Sequence, residues 1–423
     1  MQNEIAAARQ ALADVPPMSA EAFATGRRRL WESFSDDRTR RRWARARQVA
    51  WVLWWVALAC LSLAQLSRSL LDLEVYRNGG LAWLHGIPLY VDFPGPLPGP
   101  RLPFTYPPAA AVLFSTFAAL PAWLATVLLT TASFLALTAV CLVVTRRLCR
   151  HRDVAHALGL TAAIAAIGLE PVLSTVNLGQ INLLLMALVV IDCLAVRDRR
   201  LRGLLVGVAA AIKLTPAVFV LYFLLRRDWR SAANSLAAFV ILAVLGFAFA
   251  PTDSVEYWFH ALTDPSRIGG LAYGPNQSFR GLLQRLDPGQ EAISLLWLGL
   301  STLAMLLAVL IAHGTRDNLL ALLVIAAGGL LASPVSWSHH WVWCVPAFLL
   351  LAARARTWSH RTLLAAAVLL FCTSPFTLLP HSENRELHWS FWQHIPGNVY
   401  VWLAFGALVV LAVGQEMDRS RRR

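Results

Sequence analysis

Two carboxylates stand close together just after the first long apolar segment of the chain. Asp72 and Glu74 follow the apolar residues 48 to 66 by only a few positions. A carboxylate held at a membrane surface is costly unless it is solvated or paired. We therefore expect Asp72 to serve a function at the membrane–water boundary, the alternative being an ion pair with Arg68 or Arg77. Glu74 is more typical of a solvated or paired charge.

The only lysine of the chain, Lys213, lies within an apolar run. A lysine in such a position is expensive and usually has a partner or an anionic ligand. Its side chain could instead reach the membrane surface or cap a broken helix. A role near a phosphate is an interpretation of at least equal weight.

Histidines and amides form the remaining polar motifs. His339 and His340 stand in a tryptophan-rich segment, where they could bind a ligand or belong to an interfacial aromatic belt. The side-chain amides could contact a ligand, cap helices or bond between helices; they are Asn177, Gln180, Asn182, Asn276 and Gln277. The spacing of the histidines and cysteines is not typical of metal ligands or disulfides, so we predict no metal and no cofactor.

Composition indicates the class of protein that carries these motifs. The chain has 423 residues, 57% of them hydrophobic and 14% charged, whereas soluble proteins carry roughly 25% charged residues. Apolar runs of about 18 to 23 residues recur along it, as in a multi-pass membrane protein. We predict an all-α transmembrane helical bundle of about ten to twelve spans, some of them broken or half helices. The net charge of +13 does not indicate nucleic-acid binding, because the arginines fall in short loops between apolar runs.

Arginine placement then sets the topology. Arginine-rich loops stay in the cytoplasm, which places the tails 1–47 and 415–423 inside and the transmembrane domain at 48–414. Loops 67–106 and 251–290 are predicted to be external, and residues 73 to 86 to form a short helix. Pro121 is expected to split residues 107 to 145. Residues 203 to 225 have inside signals at both ends and are too short to cross twice, so we predict two half helices broken around Lys213 to Pro216. The polar motifs then collect on the external face, at the plasma (inner) membrane.

Seven motifs in this order resemble a known family. They are Asp72-Leu73-Glu74-Val75-Tyr76, Gly86 to Tyr90, Phe104-Thr105-Tyr106-Pro107-Pro108, Gly179-Gln180-Ile181-Asn182, Lys213-Leu214-Thr215-Pro216, Asn276-Gln277-Ser278, and Ser333-Pro334-Val335-Ser336-Trp337-Ser338-His339-His340. Together they resemble glycosyltransferase family 87, the polyprenyl-phosphate-mannose-dependent alpha-mannosyltransferases of actinobacteria. The resemblance covers roughly residues 48 to 414, and no single motif is specific by itself.

The resemblance implies a C-type glycosyltransferase fold, a polyprenyl phosphomannose donor and an external glycolipid or lipoglycan acceptor. It places the family's catalytic aspartate on Asp72 and its histidine on His339 or His340. Transfer from a beta-linked donor to an alpha linkage is an inversion, which needs one carboxylate as general base. The leaving phosphate needs positive charge or hydrogen-bond donors.

These requirements assign a role to each candidate residue. Asp72 is predicted to be the base, with Glu74 as the alternative. The donor phosphate is assigned to His339, His340, Lys213 and Arg280. The sugar or acceptor is assigned to Glu74, Tyr76, Tyr106, Asn177, Gln180, Asn276 and Gln277. A transporter or flippase of a lipid-linked sugar, built on the broken helix at Lys213, is the alternative from another class.

Overall fold

The fold is helical throughout the residues that the structure describes. The computed structural model describes residues 37–90, 102–264, 267 and 269–420. Most of the predicted tail 1–47, residues 91–101 of the predicted loop 67–106, and the last three residues lie outside this set. The described residues form no strand, and the all-α class is confirmed for them.

Eighteen α-helices follow one another along these residues. In order they are α1 Asp37–Leu66, α2 Leu71–Leu84, α3 Pro108–Ala118, α4 Ala122–Leu148, α5 Arg152–Ala166, α6 Glu170–Leu178, α7 Asn182–Leu194, α8 Leu204–Ile212, α9 Val220–Leu225, α10 Trp229–Phe249, α11 Pro251–Phe259, α12 Phe279–Leu286, α13 Gln290–Gly314, α14 Asn318–Ala332, α15 Cys344–Arg354, α16 Trp358–Thr373, α17 His394–Gly397 and α18 Val399–Ser420. Short 3-10 turns join several of them, notably Thr215–Phe219 and Ser338–Trp343.

Five of these helices are long and apolar enough to cross a bilayer. They are α1, α4, α10, α13 and α18, and α5 with α6 adds a sixth if that pair, bent by 69°, counts as one span. Five shorter apolar segments of 10–17 residues complete the set. The chain is therefore a helical membrane protein, but full-length spans among the described residues number five or six and do not establish the ten to twelve that we predict.

The predicted helix breaks are confirmed where proline or lysine interrupts an apolar run. Pro121 separates α3 from α4. The run 203–225 is divided as expected. α8 ends at Ile212, the backbone of Lys213 after it is extended (φ −146°, ψ 127°), and a 3-10 turn containing Pro216 follows. Proline has no N–H to donate and its ring disfavours a regular helix before it. The break leaves the Lys213 side chain outside the regular helix.

Two groups of helices pack closely, each within itself. One group contains α1, α4, α5 and α7, and within it Trp54 of α1 donates to Thr138 of α4 (2.8 Å). The other contains α13, α14 and α18. The predicted short helix of the first loop is confirmed as α2, which packs against α3 and touches α6.

The turn between α6 and α7 brings α2 close to both. Gly179 ends α6 with a left-handed backbone (φ 71°). A Cβ at this position would lie 2.9 Å from the Cβ atoms of Leu70 and Leu73. Glycine is needed here both for the conformation and for the approach of α2. As a result, the first turn of α2 lies directly against the turn between α6 and α7.

Candidate active site

A large cavity opens where α2, the α6–α7 turn, the break after α8 and the 3-10 turn Ser338–Trp343 converge. Its volume is about 1420 Å³. Six of the predicted site residues line it: Asp72, Tyr106, Gln180, Lys213, His339 and His340. Apolar side chains form another part of the wall, among them Met186, Val189, Val218 and Met305. The cavity thus joins a polar region to an apolar one.

Asp72 lies in the first turn of α2, partly buried and lining the cavity. Burial raises the pKa of its carboxyl from 3.8 to about 6, and the nearby charge of Lys213 and a hydrogen bond from Gln180 offset only part of that rise. The alternative ion pairs are not formed. Arg77 donates to the carbonyls of Phe117 and Leu120, and Arg68 to Asn177. Asp72 is therefore a carboxylate with raised basicity in a cavity that also holds an ammonium.

Behind Asp72, two tyrosines and a glutamine form a buried hydrogen-bonded group. The Tyr76 hydroxyl donates to Gln180 Oε1 (2.8 Å) and lies 3.0 Å from the Tyr106 hydroxyl, which also reaches that oxygen (3.3 Å). Phe114 stacks on Tyr76 at 4.4 Å between ring centroids. Because Oε1 of Gln180 accepts from the tyrosines, its NH₂ group is left for Asp72. Tyr76 itself is fully buried and does not reach the cavity.

Lys213 connects three elements. Its Nζ lies 3.3 Å from Asn182 Oδ1 at the start of α7 and 3.2 Å from His340 Nε2. It also sits 5.4 Å from the centroid of the Tyr106 ring. An ammonium has only donors, so His340 accepts at Nε2 and carries its proton on Nδ1. This arrangement holds the ammonium at the cavity wall without a directly bonded carboxylate among the described residues.

The two histidines are neutral at physiological pH. Burial, with the charge of Lys213, lowers the pKa of His339 to about 3 and that of His340 well below 6.5. The His339 carbonyl accepts from Asn182 (3.0 Å) and Thr175 (3.1 Å), which fixes the backbone of this turn. Nε2 of His339 is buried and has no hydrogen-bond partner in the described part of the chain. The histidines can therefore offer hydrogen bonds to a ligand, while the positive charge comes from Lys213.

The other six predicted site residues do not line the cavity; they are Glu74, Tyr76, Asn177, Arg280, Asn276 and Gln277. Arg280 places its guanidinium 5.0 Å from the ring centroid of Trp297. Asn276 and Gln277 are fully buried, and Gln277 bonds main-chain groups through both ends of its amide. Asn177 binds Gln65 and Arg68.

Four charged residues that line the cavity are absent from the sequence-based set: Glu170, Arg267, Glu383 and Glu386. Glu170 begins α6 and accepts hydrogen bonds from Ser338 and Tyr400. Arg267 donates to the Tyr90 carbonyl (2.8 Å). Lys213 is selected because it is a charge inside an apolar run. Glu170 is also a charge inside an apolar run, so the sequence pattern could have identified it. Arg267 lies in a loop where nothing in the sequence distinguishes it.

The chain is similar to a family model and to several named proteins. Residues 104–334 match the model of glycosyltransferase family 87. The chain is 42% identical, over 89% of its length and 94% of the relative, to the polyprenol-phosphate-mannose-dependent alpha-(1-2)-phosphatidylinositol mannoside mannosyltransferase of Mycobacterium tuberculosis. It is 41% identical to the Mycolicibacterium smegmatis protein of the same name, over 81% and 83% of the two chains. It is also 35% identical to the alpha-(1-2)-phosphatidylinositol pentamannoside mannosyltransferase of that organism, over 68% and 71%. The match spans more than half of the chain and the relatives cover most of it, so this protein belongs to glycosyltransferase family 87.

Proposed function

We propose that this protein transfers mannose from a polyprenyl phosphomannose to a hydroxyl group of a mannosylated phosphatidylinositol glycolipid, forming an alpha linkage. The names of the relatives above give this donor and this class of acceptor. The observation that supports the chemistry in this chain is the presence of Asp72 and Lys213 in the wall of one cavity. A carboxylate of raised pKa and an ammonium line the same cavity.

Asp72 is the general base of this proposal. The acceptor oxygen attacks C1 of mannose as the bond from C1 to the phosphate oxygen breaks. Asp72 takes the proton of the hydroxyl, and the polyprenyl phosphate leaves as an anion. Attack on the face opposite the phosphate inverts the anomeric centre, as in the base half of inverting sugar chemistry. A base with a pKa near the working pH is well suited to this step.

Lys213 stabilises the phosphate in this scheme. Charge develops on the phosphate oxygens as the bond to C1 breaks, and a fixed ammonium in a site of low water content stabilises that charge strongly. Nδ1–H of His340 and the free Nε2 of His339 add hydrogen bonds to the phosphate or sugar. Glu74 and Arg280 are left out of this set because neither lines the cavity.

The apolar part of the cavity suits a prenyl chain. Met186 and Val189 of α7 face it together with Val218 and Met305. A lipid-linked donor needs its phosphate among polar groups and its chain among apolar ones. The cavity has both regions, so the lipid would lie between helices with its phosphate near Lys213.

The reaction is assigned to the external face. The arginine-rich segments at the start of α1 and after α18 belong in the cytoplasm by the positive-inside rule, together with both termini. An acceptor outside the cytoplasm would then meet Asp72 at the end of the loop after α1. Labelling of single cysteines introduced beside Asp72 and beside His340 tests this: both should react with an external impermeant reagent.

The decisive experiment compares two carboxylates of the same helix. Asp72→Asn should abolish transfer of radiolabelled mannose in purified, membrane-inserted protein, while the donor still binds. Glu74→Gln is the matched control, because it removes a charge two residues away that does not line the cavity, and it should leave turnover near normal. Near-normal turnover of Asp72→Asn would exclude Asp72 as the base.

A further inference from the structure

Glu170 occupies a connecting position in the cavity wall. It stands in the first turn of α6, and its two carboxylate oxygens have different partners. Oε1 accepts from the Ser338 hydroxyl at 2.7 Å. Oε2 accepts from the Tyr400 hydroxyl at 3.0 Å. Both partners are hydroxyl groups donating to a carboxylate, and such charge-assisted bonds are stronger than neutral ones.

One of these bonds holds the residue immediately before the histidine pair. Ser338 begins the 3-10 turn that carries His339 and His340. Ser338 is 4% exposed, so bulk water competes little with Glu170 as the acceptor of its hydroxyl. The Ser338–Glu170 bond therefore ties the start of this turn to α6.

The same helix holds the turn at a second point. Thr175, one and a half turns further along α6, donates to the His339 carbonyl (3.1 Å). Asn182 donates to that carbonyl as well (3.0 Å) and also accepts from Lys213. The position of the imidazoles relative to the Lys213 ammonium is therefore set by bonds to α6 and to the start of α7.

The other oxygen of Glu170 is held from the opposite side. The Tyr400 hydroxyl, at the start of α18, lies 2.8 Å from the Ser374 hydroxyl at the end of α16. The Tyr400 ring is fully buried and stacks on Phe371 with 4.0 Å between centroids. This packing leaves the Tyr400 hydroxyl little freedom. Glu170 is thus held through Oε2 by the rigid Tyr400, and through Oε1 it holds the 3-10 turn that carries His339 and His340.

We propose that Glu170 is a positioning residue: through Ser338 it holds His339 and His340 at the place where they bind the donor phosphate. This inference rests on the proposed function, which assigns the donor phosphate to these histidines and Lys213. Glu170 need not touch the substrate for this role. Loss of its bond would let the turn shift relative to Lys213 and weaken binding of the donor more than binding of the acceptor.

Two variants break the contact from opposite sides. Glu170→Leu, which has no acceptor, and Ser338→Ala should each raise the KM for polyprenyl phosphomannose about tenfold, the scale of one hydrogen bond to a charged group. The KM for the glycolipid acceptor should change less than about twofold. Ser338→Thr keeps the hydroxyl and should restore the donor KM. Ser235→Ala is the control, because it removes an equally buried hydroxyl, bonded to the Gly203 carbonyl, outside the cavity.

A double-mutant comparison separates this inference from the proposed function. Replacing both histidines by alanine should itself raise the donor KM; an unchanged donor KM would overturn the assignment of the phosphate to them. If the donor KM rises in the histidine variant, adding Ser338→Ala to it should raise the donor KM by less than about twofold more. The effects of residues that act through one another are not additive. A full additional tenfold rise, or equal effects of Ser338→Ala on donor and acceptor KM, would overturn the positioning role. Failure of one variant to fold leaves the other to decide, since each breaks the same bond.

Discussion

Acid should switch off transfer at a pH set by the burial of Asp72. The pKa of Asp72 is raised from 3.8 to about 6, first by burial. A general base acts only when deprotonated, so the rate should follow the ionised fraction. That fraction is about 90% one pH unit above the pKa and about 10% one unit below it. The kcat/KM for the donor, which reports the free enzyme, should therefore fall about tenfold between about pH 7 and about pH 5.

Lys213 provides an independent check on the cause of this pH profile. Its charge lowers the pKa of Asp72, against the larger effect of burial. Lys213→Met removes that charge, so the acidic limb should move to higher pH, as it does when an opposite charge beside a carboxylate is lost. The same variant should raise the donor KM, because the phosphate loses its ammonium. Transfer of radiolabelled mannose in proteoliposomes, measured from about pH 5 to about pH 8, reads both effects.

Two results would refute this reasoning. A rate that stays flat from neutral pH down to about pH 5 would show that no base of raised pKa limits transfer. An acidic limb that does not move in Lys213→Met would show that the titrating group is not the carboxyl beside Lys213. The Glu74→Gln profile should overlay that of the unchanged protein, which assigns the limb to Asp72 and not to its neighbour.

Three further outcomes follow from the same geometry. Asp72→Asn should raise the free energy of unfolding at neutral pH by at most about 3 kcal/mol, since the pKa of Asp72 is higher in the folded state than in the unfolded state. This gain in stability should shrink as the pH falls from about 6 to about 4. Thermal unfolding that shows no such trend would contradict the burial of the charge. Gln277→Ala should lower stability by about 3 kcal/mol with an unchanged acceptor KM, because its amide bonds three main-chain groups outside the cavity; a raised KM with normal stability would return it to the binding site. Gly179→Ala should lower both stability and kcat. The backbone of Gly179 is left-handed, and an added Cβ would lie 2.9 Å from the Cβ atoms of Leu70 and Leu73, so a methyl group does not fit at the start of α2. Unchanged activity would show that α2 can shift freely.

The sequence predicts features whose cause is local. Pro121 and Pro216 break helices because of their own covalent geometry, and both breaks are found. Lys213 could be selected because a single charge in an apolar run is exceptional. Asp72 could be selected because it follows the first span, and the structure places both residues at one cavity.

Features that depend on distant partners could not be predicted in the same way. Asn276 and Gln277 have the residue types of a sugar-binding site, but partners far along the chain, such as the Gly397 carbonyl, satisfy them in the interior. The sequence also does not show that Tyr76 is buried behind Tyr106. An apolar run also does not show where a helix begins: the 3-10 turn at Ser338–Trp343 delays the start of α15 to Cys344.

The single lysine allows the cavity to be labelled chemically at one position. No other side chain in the 423 residues carries a primary amine, and this one faces the cavity between Asn182 and His340. A small amine-reactive acylating reagent would therefore mark the interior of this protein at one place. Protection of that amine by a bound lipid phosphate would give a direct reading of occupancy, obtained by peptide mass and independent of any turnover.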